Sequence, residues 1–177
     1  MFIKAAGLPN DREIRFHLIW RLPHHFTRKD GRDNGHYHLN HFRSAEAVAH
    51  HLVQRWPKLL AATREWQDLI LRSNLPWWLR LKLVNTVFTV SANTVFTRDG
   101  RFAVAESPVS MKGALGTMDQ RLASHAFYTM MYPDLDRREM ELFAGCQLED
   151  GRITHFNGNL HEAVGDACMP REKGWGD

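Results

Sequence analysis

A carboxylate at the end of a buried strand is well placed to do chemistry, and Glu106 in Phe102-Ala103-Val104-Ala105-Glu106-Ser107-Pro108 fits that description. The strand before it is apolar on both faces, so it reads as buried. Active-site groups commonly lie where such a strand gives way to a loop. A glycine-bearing loop follows here, ending near Gly116. The plain alternative is a solvated carboxylate at a strand end. Asp119 comes next, in Gly116-Thr117-Met118-Asp119-Gln120-Arg121. It falls in the first turn of an expected helix, where free N–H groups and the helix dipole favour an acid. Facing the same cleft as Glu106, it could hold sugar hydroxyls through short, charge-assisted hydrogen bonds. His155, after Gly151-Arg152-Ile153-Thr154, and His161, before Glu162-Ala163-Val164-Gly165, are candidate partners for the same ligand. Each also fits an ordinary loop histidine.

A second cluster points to different chemistry. Seven of the 11 histidines lie between residues 24 and 51. On a strand, His36-Tyr37-His38 would put two imidazoles on one face, a spacing that metals use, with His41 three residues on. No carboxylate follows at a matching position, and His161-Glu162 lacks the second histidine of a zincin helix. A metal-binding protein built on His36, His38 and His41 is therefore an alternative; the leading reading needs no metal and no cofactor.

Bulk composition narrows the classes. The 177 residues carry a net charge of +3, with 44% apolar and 24% charged residues. That is ordinary for one globular domain. Basic residues are interleaved with acids, as in Asp136-Arg137-Arg138-Glu139, so no nucleic-acid stripe forms. No stretch approaches about 18 uninterrupted apolar residues, and no membrane-spanning helix is expected. Met1 to Asn10 lacks the basic region and apolar run of a signal peptide. Cys146 and Cys168 have no metal spacing. They read as two reduced thiols, which fits a cytoplasmic location.

The elements that must position these groups follow from periodicity. Ile14, Phe16, Leu18, Trp20 and Leu22 alternate with polar residues, which predicts a strand ending at Pro23. His24 to Phe42 reads as a long loop with a short strand near Tyr37 and Leu39. Ser44 is a plausible cap for a helix carrying Val48, Leu52 and Val53. Pro57 should end that helix and begin another, with Leu59, Leu60, Thr63, Trp66, Leu69 and Ile70 on one stripe. A third helix, Trp77 to Phe88, is apolar on most sides and should be central. Asp99-Gly100 between β-prone runs signals a hairpin, and Asp150-Gly151 a second turn of that kind. Thr117 should cap a helix carrying Leu122, Ala126, Thr129 and Met130. Asp134 or Asp136 should cap the next, which carries Leu135, Met140, Leu142 and Phe143. Phe156 to Asp177 reads as loop.

Together these segments resemble glycoside hydrolase family 116, which includes non-lysosomal glucosylceramidase and bacterial β-glucosidases. The resembling residues are Ile19-Trp20-Arg21-Leu22-Pro23, Gly35-His36-Tyr37, Ser73-Asn74-Leu75-Pro76-Trp77-Trp78 and Asp99-Gly100-Arg101-Phe102. Glu106-Ser107, Gly116-Thr117-Met118-Asp119 and Tyr132-Pro133-Asp134-Leu135 continue the series in order. The resemblance implies a mainly α, incomplete domain: the opening helices of an (α/α)6 barrel (44–177), after the last strand segment of an N-terminal β-sandwich and a linker (1–43). It implies a retaining β-glycosidase acting on a β-glucoside or a glucosylated lipid. Retention needs two carboxyls about 5.5 Å apart. Glu106 matches the nucleophile, and Asp119 matches a carboxylate that contacts the sugar. His161-Glu162 resembles a His-Asp pair near the glucose hydroxyls, with Glu162 in place of the acid's usual type and His155 as the fallback. The family's acid/base aspartate corresponds to a position beyond Asp177, so the chain alone is expected to be inactive or nearly so. The non-enzymatic alternative is a sugar-binding or interaction module that uses the same cleft.

Overall fold

Local signals set where several elements begin. Ser44 is extended, and its Oγ accepts the Ala47 N–H at 3.1 Å, capping helix α1 (Ala45–Leu71) as expected. The computed structural model describes residues 17–26, 31–105 and 114–158. Beyond α1 these include a short 3-10 helix (Tyr37–Asn40), helices α2 (Trp77–Thr86) and α3 (Phe88–Ala92), and strands β1 (Thr94–Phe96) and β2 (Phe102–Val104). Helices α4 (Met118–Met131) and α5 (Pro133–Gly145) complete the order. The described chain is thus mainly helical, with one antiparallel pair of strands.

The hairpin forms where Asp99-Gly100 predicted it. Thr94, Val95 and Phe96 pair with Val104, Ala103 and Phe102. Thr97 N–H donates to Arg101 O, and Gly100 N–H to Thr97 O, both at 3.0 Å. Gly100 sits at φ +92°, a conformation that glycine adopts without a steric penalty. The Asp99 carboxylate accepts from Arg101 Nε at 2.9 Å and closes the loop from the side. The second Asp-Gly repeats this design. Leu148 N–H reaches Arg152 O, Gly151 N–H reaches Leu148 O, and Arg152 Nε donates to Asp150. No named strand flanks it, so the turn is present without a ladder.

The core gathers around this hairpin. Val95, Ala103, Ala105 and Leu115 form one buried cluster against Leu142 of α5. Phe102, Tyr128 and Phe143 are buried beside it. Tyr37 stacks on Phe96 with ring centroids 3.8 Å apart, which fastens the 3-10 segment to β1. Asn34 O accepts the Arg98 N–H at 3.1 Å, and Asn40 Nδ2 donates to Arg98 O at 2.8 Å.

Several expectations are corrected. Residues 17–25 form no strand, and a single bridge joins Phe26 to Asp33. Leu18, Trp20, Leu22 and Phe26 point to solvent. The predicted apolar face has no sheet among the described residues to bury against, and a strand without a partner cannot satisfy its ladder. Tyr37 and Leu39 lie in the 3-10 helix, not a strand. Pro57 does not end a helix: α1 runs through it for 27 residues. The ring removes one N–H and crowds one carbonyl, a defect that a long helix can absorb. The Trp77–Phe88 segment is not central. It breaks at Val87 into α2 and α3, and Trp77, Trp78 and Phe88 are exposed. Helices α1 and α2 contain no fully buried residue. On α4, Leu122 and Met130 face outward, while Arg121 and Tyr128 turn in. Tyr132, not Asp134 or Asp136, is the N-cap of α5, with Pro133 at its first position.

Candidate active site

The segments on either side of residues 106–113 are held together. Ala105, at the exit of β2, forms a bridge with Leu115, and both are buried. Ala105 N–H donates to Asn93 O at 2.7 Å, and Gly116 N–H to Val104 O at 2.8 Å. Segment 114–118 is in turn paired with the segment after the second turn. Leu115 N–H reaches Gly158 O at 2.9 Å, Asn157 N–H reaches Leu115 O at 2.8 Å, and Met118 N–H reaches His155 O at 3.0 Å. Glu106 and His161 themselves lie outside the described residues.

Of the other sequence candidates, Asp119 and His155 come together. Asp119 sits in the first turn of α4, and His155 Nε2 lies 3.2 Å from its Oδ1. The His155 ring stacks on Phe156 at 4.3 Å, nearly parallel, which limits how it can turn. The pair lies 36 residues apart in sequence and is joined by the Met118–His155 backbone bond. Thr117 stands at the N-cap of α4, yet its side chain makes no capping bond. Its hydroxyl is buried without a hydrogen-bond partner, as are both polar atoms of Asn157, whose amide lies over Gly116.

Sequence reasoning missed the charged group behind this site. Arg121 is 2% exposed, Asp136 5% and Glu139 0%. Arg121 Nη2 donates to Asp136 Oδ1 at 2.8 Å, and its Nε pairs with Glu139 Oε2. The other Glu139 oxygen accepts the Val104 N–H at 2.7 Å. Thr129 Oγ1 donates to Asp136 at 2.9 Å, and the Arg121 guanidinium lies 4.6 Å from the Tyr128 ring centroid. Burial pushes the Glu139 carboxyl up to about 7, against the pull of Arg121 and the Val104 N–H. Burial likewise pushes the Tyr128 hydroxyl up to about 12. A legible signal was present: Asp136, Glu139, Phe143 and Cys146 fall on one stripe of α5, so two acids share the face of a buried phenylalanine.

The histidine cluster takes another form than the metal alternative requires. His36 is the residue before the 3-10 helix and His38 lies within it, with their rings stacked at 5.8 Å. His25 also stacks on His36, at 5.5 Å, while the His41 ring packs edge-on against Tyr37. Burial holds both His36 and His38 below the usual histidine range, helped by His25 at His36 and by Arg21 at His38. Asp33 is held well below the carboxylate range by His24 Nδ1 and by the His25 and Gly35 N–H groups. Among the described residues, no group of three or more His, Cys, Asp or Glu side chains could hold a metal ion.

Cys146, buried at the end of α5, is disulfide-bonded. This corrects the expectation of two reduced thiols and removes the support they lent to a reducing compartment. Cys168, the only other cysteine in the sequence, lies outside the described residues. Among the described residues, no helix is long and apolar enough to cross a membrane. No protein-family description, curated protein or solved structure matches the chain.

Proposed function

We propose that this chain carries the nucleophile-bearing part of a retaining β-glycosidase active site, with Glu106 as nucleophile and Asp119, His155 and His161 on the sugar side. The finer architecture proposed with it is the opening part of an (α/α)6 barrel. One observation carries the reading: the buried Ala105–Leu115 bridge ties the residue before Glu106 to the segment that leads into α4, whose Asp119 lies 3.2 Å from His155. A carboxylate and an imidazole in contact offer a sugar both acceptor and donor positions.

In the first half-reaction the Glu106 carboxylate attacks the anomeric carbon. The bond to the leaving oxygen breaks, and a glycosyl ester forms. A poor leaving group needs a proton at that oxygen, worth about 10²–10⁴-fold in rate. We assign no residue to that acid role.

The test therefore uses a substrate that needs no acid. Incubation with 2,4-dinitrophenyl 2-deoxy-2-fluoro-β-glucoside should release dinitrophenolate and leave one fluoroglucosyl group on the chain. Intact mass should show it, and peptide mapping should place it on Glu106. Glu106→Gln should abolish it. Sugar binding that survives Glu106→Gln, with no labelling of the unaltered chain, would establish a non-catalytic sugar-binding module instead.

A further inference from the structure

Segment 34–40 is docked on the hairpin by contacts that alternate with its histidines. Tyr37 stacks on Phe96 at 3.8 Å, and the Arg138 guanidinium lies 5.7 Å from the Tyr37 ring centroid and 5.5 Å from that of Phe96. Asn34 O accepts the Arg98 N–H at 3.1 Å, and Asn34 Oδ1 accepts from Arg101 Nη2 at 3.1 Å. Asn40 Nδ2 donates to Arg98 O at 2.8 Å. His36 and His38 flank Tyr37 in sequence and stack on each other, and His25 stacks on His36. A proton on either ring therefore enters a pile of three imidazoles. We propose that segment 34–40 is an acid-sensitive clasp: neutral His36 and His38 hold it on the hairpin, and their protonation releases it.

Positive charge at these rings is poorly met. His38 Nε2 is buried with no hydrogen-bond partner among the described residues, so a proton there is desolvated without compensation. Burial is the largest obstacle at both rings, followed by His25 and His38 at His36 and by Arg21 at His38. A hydrogen bond to the His24 backbone and the Asp33 carboxylate pull the other way at His36. That carboxylate is already engaged by His24 Nδ1 at 2.8 Å and by the His25 and Gly35 N–H groups. Arg98 lies over Gly35, Arg101 reaches Asn34, and Arg138 faces Tyr37 from α5. Asp99 answers Arg101, Glu46 of α1 answers Arg21, and His41 packs edge-on against Tyr37. Undocking returns the two rings to water, where they bind protons more readily. Docking is therefore strongest above about pH 6.5 and weakens as pH falls through the docked values of His36 and His38.

Amide hydrogen exchange of the full chain tests the clasp, because the Arg98 N–H bonds to Asn34 O across the docked contact. With rates corrected for the intrinsic pH dependence of exchange, Arg98 protection should fall about tenfold or more from pH 7 to pH 5.5, one unit below the usual histidine value. The Ala105 N–H, bonded to Asn93 O in the core, should keep its protection over the same range. His36→Phe combined with His38→Phe keeps aromatic rings in the stack and removes both titrations. Arg98 protection in that variant should change by less than about twofold. Circular dichroism establishes that it is folded. Should it not fold, imidazole titration of the unaltered chain by NMR takes its place, and the His36 and His38 midpoints should coincide with that of the Arg98 loss. Unchanged Arg98 protection at pH 5.5 overturns the inference. A parallel loss at Ala105 does so too, since it marks global unfolding. So does a fall that persists undiminished in the folded double variant, or one that lies away from the two histidine midpoints.

Discussion

Asp119 and His155 hold each other at the surface, and their exposure separates binding from stability. The Asp119 side chain is 71% exposed. Exposed pairs contribute about 0–1 kcal/mol at most, so Asp119→Ala should move the urea midpoint very little. A hydrogen bond from a ligand to a charged group is worth about 1.5–3 kcal/mol, so the same change should weaken methyl β-glucoside binding at least tenfold by calorimetry. Equal affinity in both proteins would remove Asp119 from the sugar side. The pH dependence of stability draws on groups with opposite signs. His36 and His38 are held below their unfolded value, so their contribution is present above about pH 6.5 and is lost as pH falls through their folded values. Glu139 is raised to about 7, so its contribution is fully present below about pH 4.5 and is lost as pH rises through 7. Removing the Glu139 titration should therefore expose the histidine loss. Urea midpoints of Glu139→Gln should fall more steeply from pH 7 to 5 than those of the unaltered chain, while His36→Phe should flatten the fall. Superimposable curves for Glu139→Gln and the unaltered chain would show that Glu139 titrates in the folded state as it does unfolded.

Elements were legible where a few neighbouring residues settle them. The Asp99-Gly100 and Asp150-Gly151 turns depend on φ at one glycine and one nearby side chain, the Ser44 cap on a single hydroxyl, and all three formed. Gly116 belongs with them, although its demand comes from a distant segment. It has φ +62°, and a Cβ there would meet Asn157 Nδ2 at 2.6 Å. Gly116→Ala should therefore cost about 1–3 kcal/mol in chemical denaturation, more than a helix or strand propensity change can explain. Elements were misread where the outcome depends on a partner. Taken one at a time, Arg121, Asp136 and Glu139 read as solvated charges, and only the stripe that the two acids share with Phe143 hints at burial. They are buried because α4 and α5 bring opposite charges together over β2. Glu106 and His161 were legible only as residues in a pattern, since their positions lie outside the described chain. Pro57 gives the sharpest test of a misread boundary. If α1 runs through it, Pro57→Ala restores a hydrogen bond and removes a clash, worth up to about 3 kcal/mol in a helix interior. Helix content and the melting temperature should both rise. If a new helix began at Pro57, its loss from a favourable first position would lower both.

Across the whole molecule, the apolar surface is distributed unevenly. The core lies around the hairpin, Ala105, Leu115, α4 and α5, whereas α1 and α2 bury no residue completely. Leu69, Trp77, Trp78 and Phe88 are each more than half exposed. A groove of about 950 Å³ runs between α1, α2, α3 and the turn joining α4 to α5, with Trp66, Val84, Val87 and Tyr132 among its walls. The stripe on α1 and the apolar run at Trp77 read as core-forming patterns, but neither is buried in the structure. What periodicity could not say is whether the surfaces meant to receive them lie within the described residues. Apolar area in water costs roughly 25 cal/mol per Å², and contiguous patches of this kind favour association. The purified chain should therefore bind an apolar dye such as anilinonaphthalene sulfonate, and its average mass in sedimentation should rise with concentration. Leu69→Glu, Trp77→Glu and Phe88→Glu together should lower both signals. They should not lower the unfolding free energy by more than about 0.5 kcal/mol each, because these side chains are already in water in the folded chain. A large loss of stability with no change in dye uptake would mean that α1, α2 and α3 are packed as a closed core in solution.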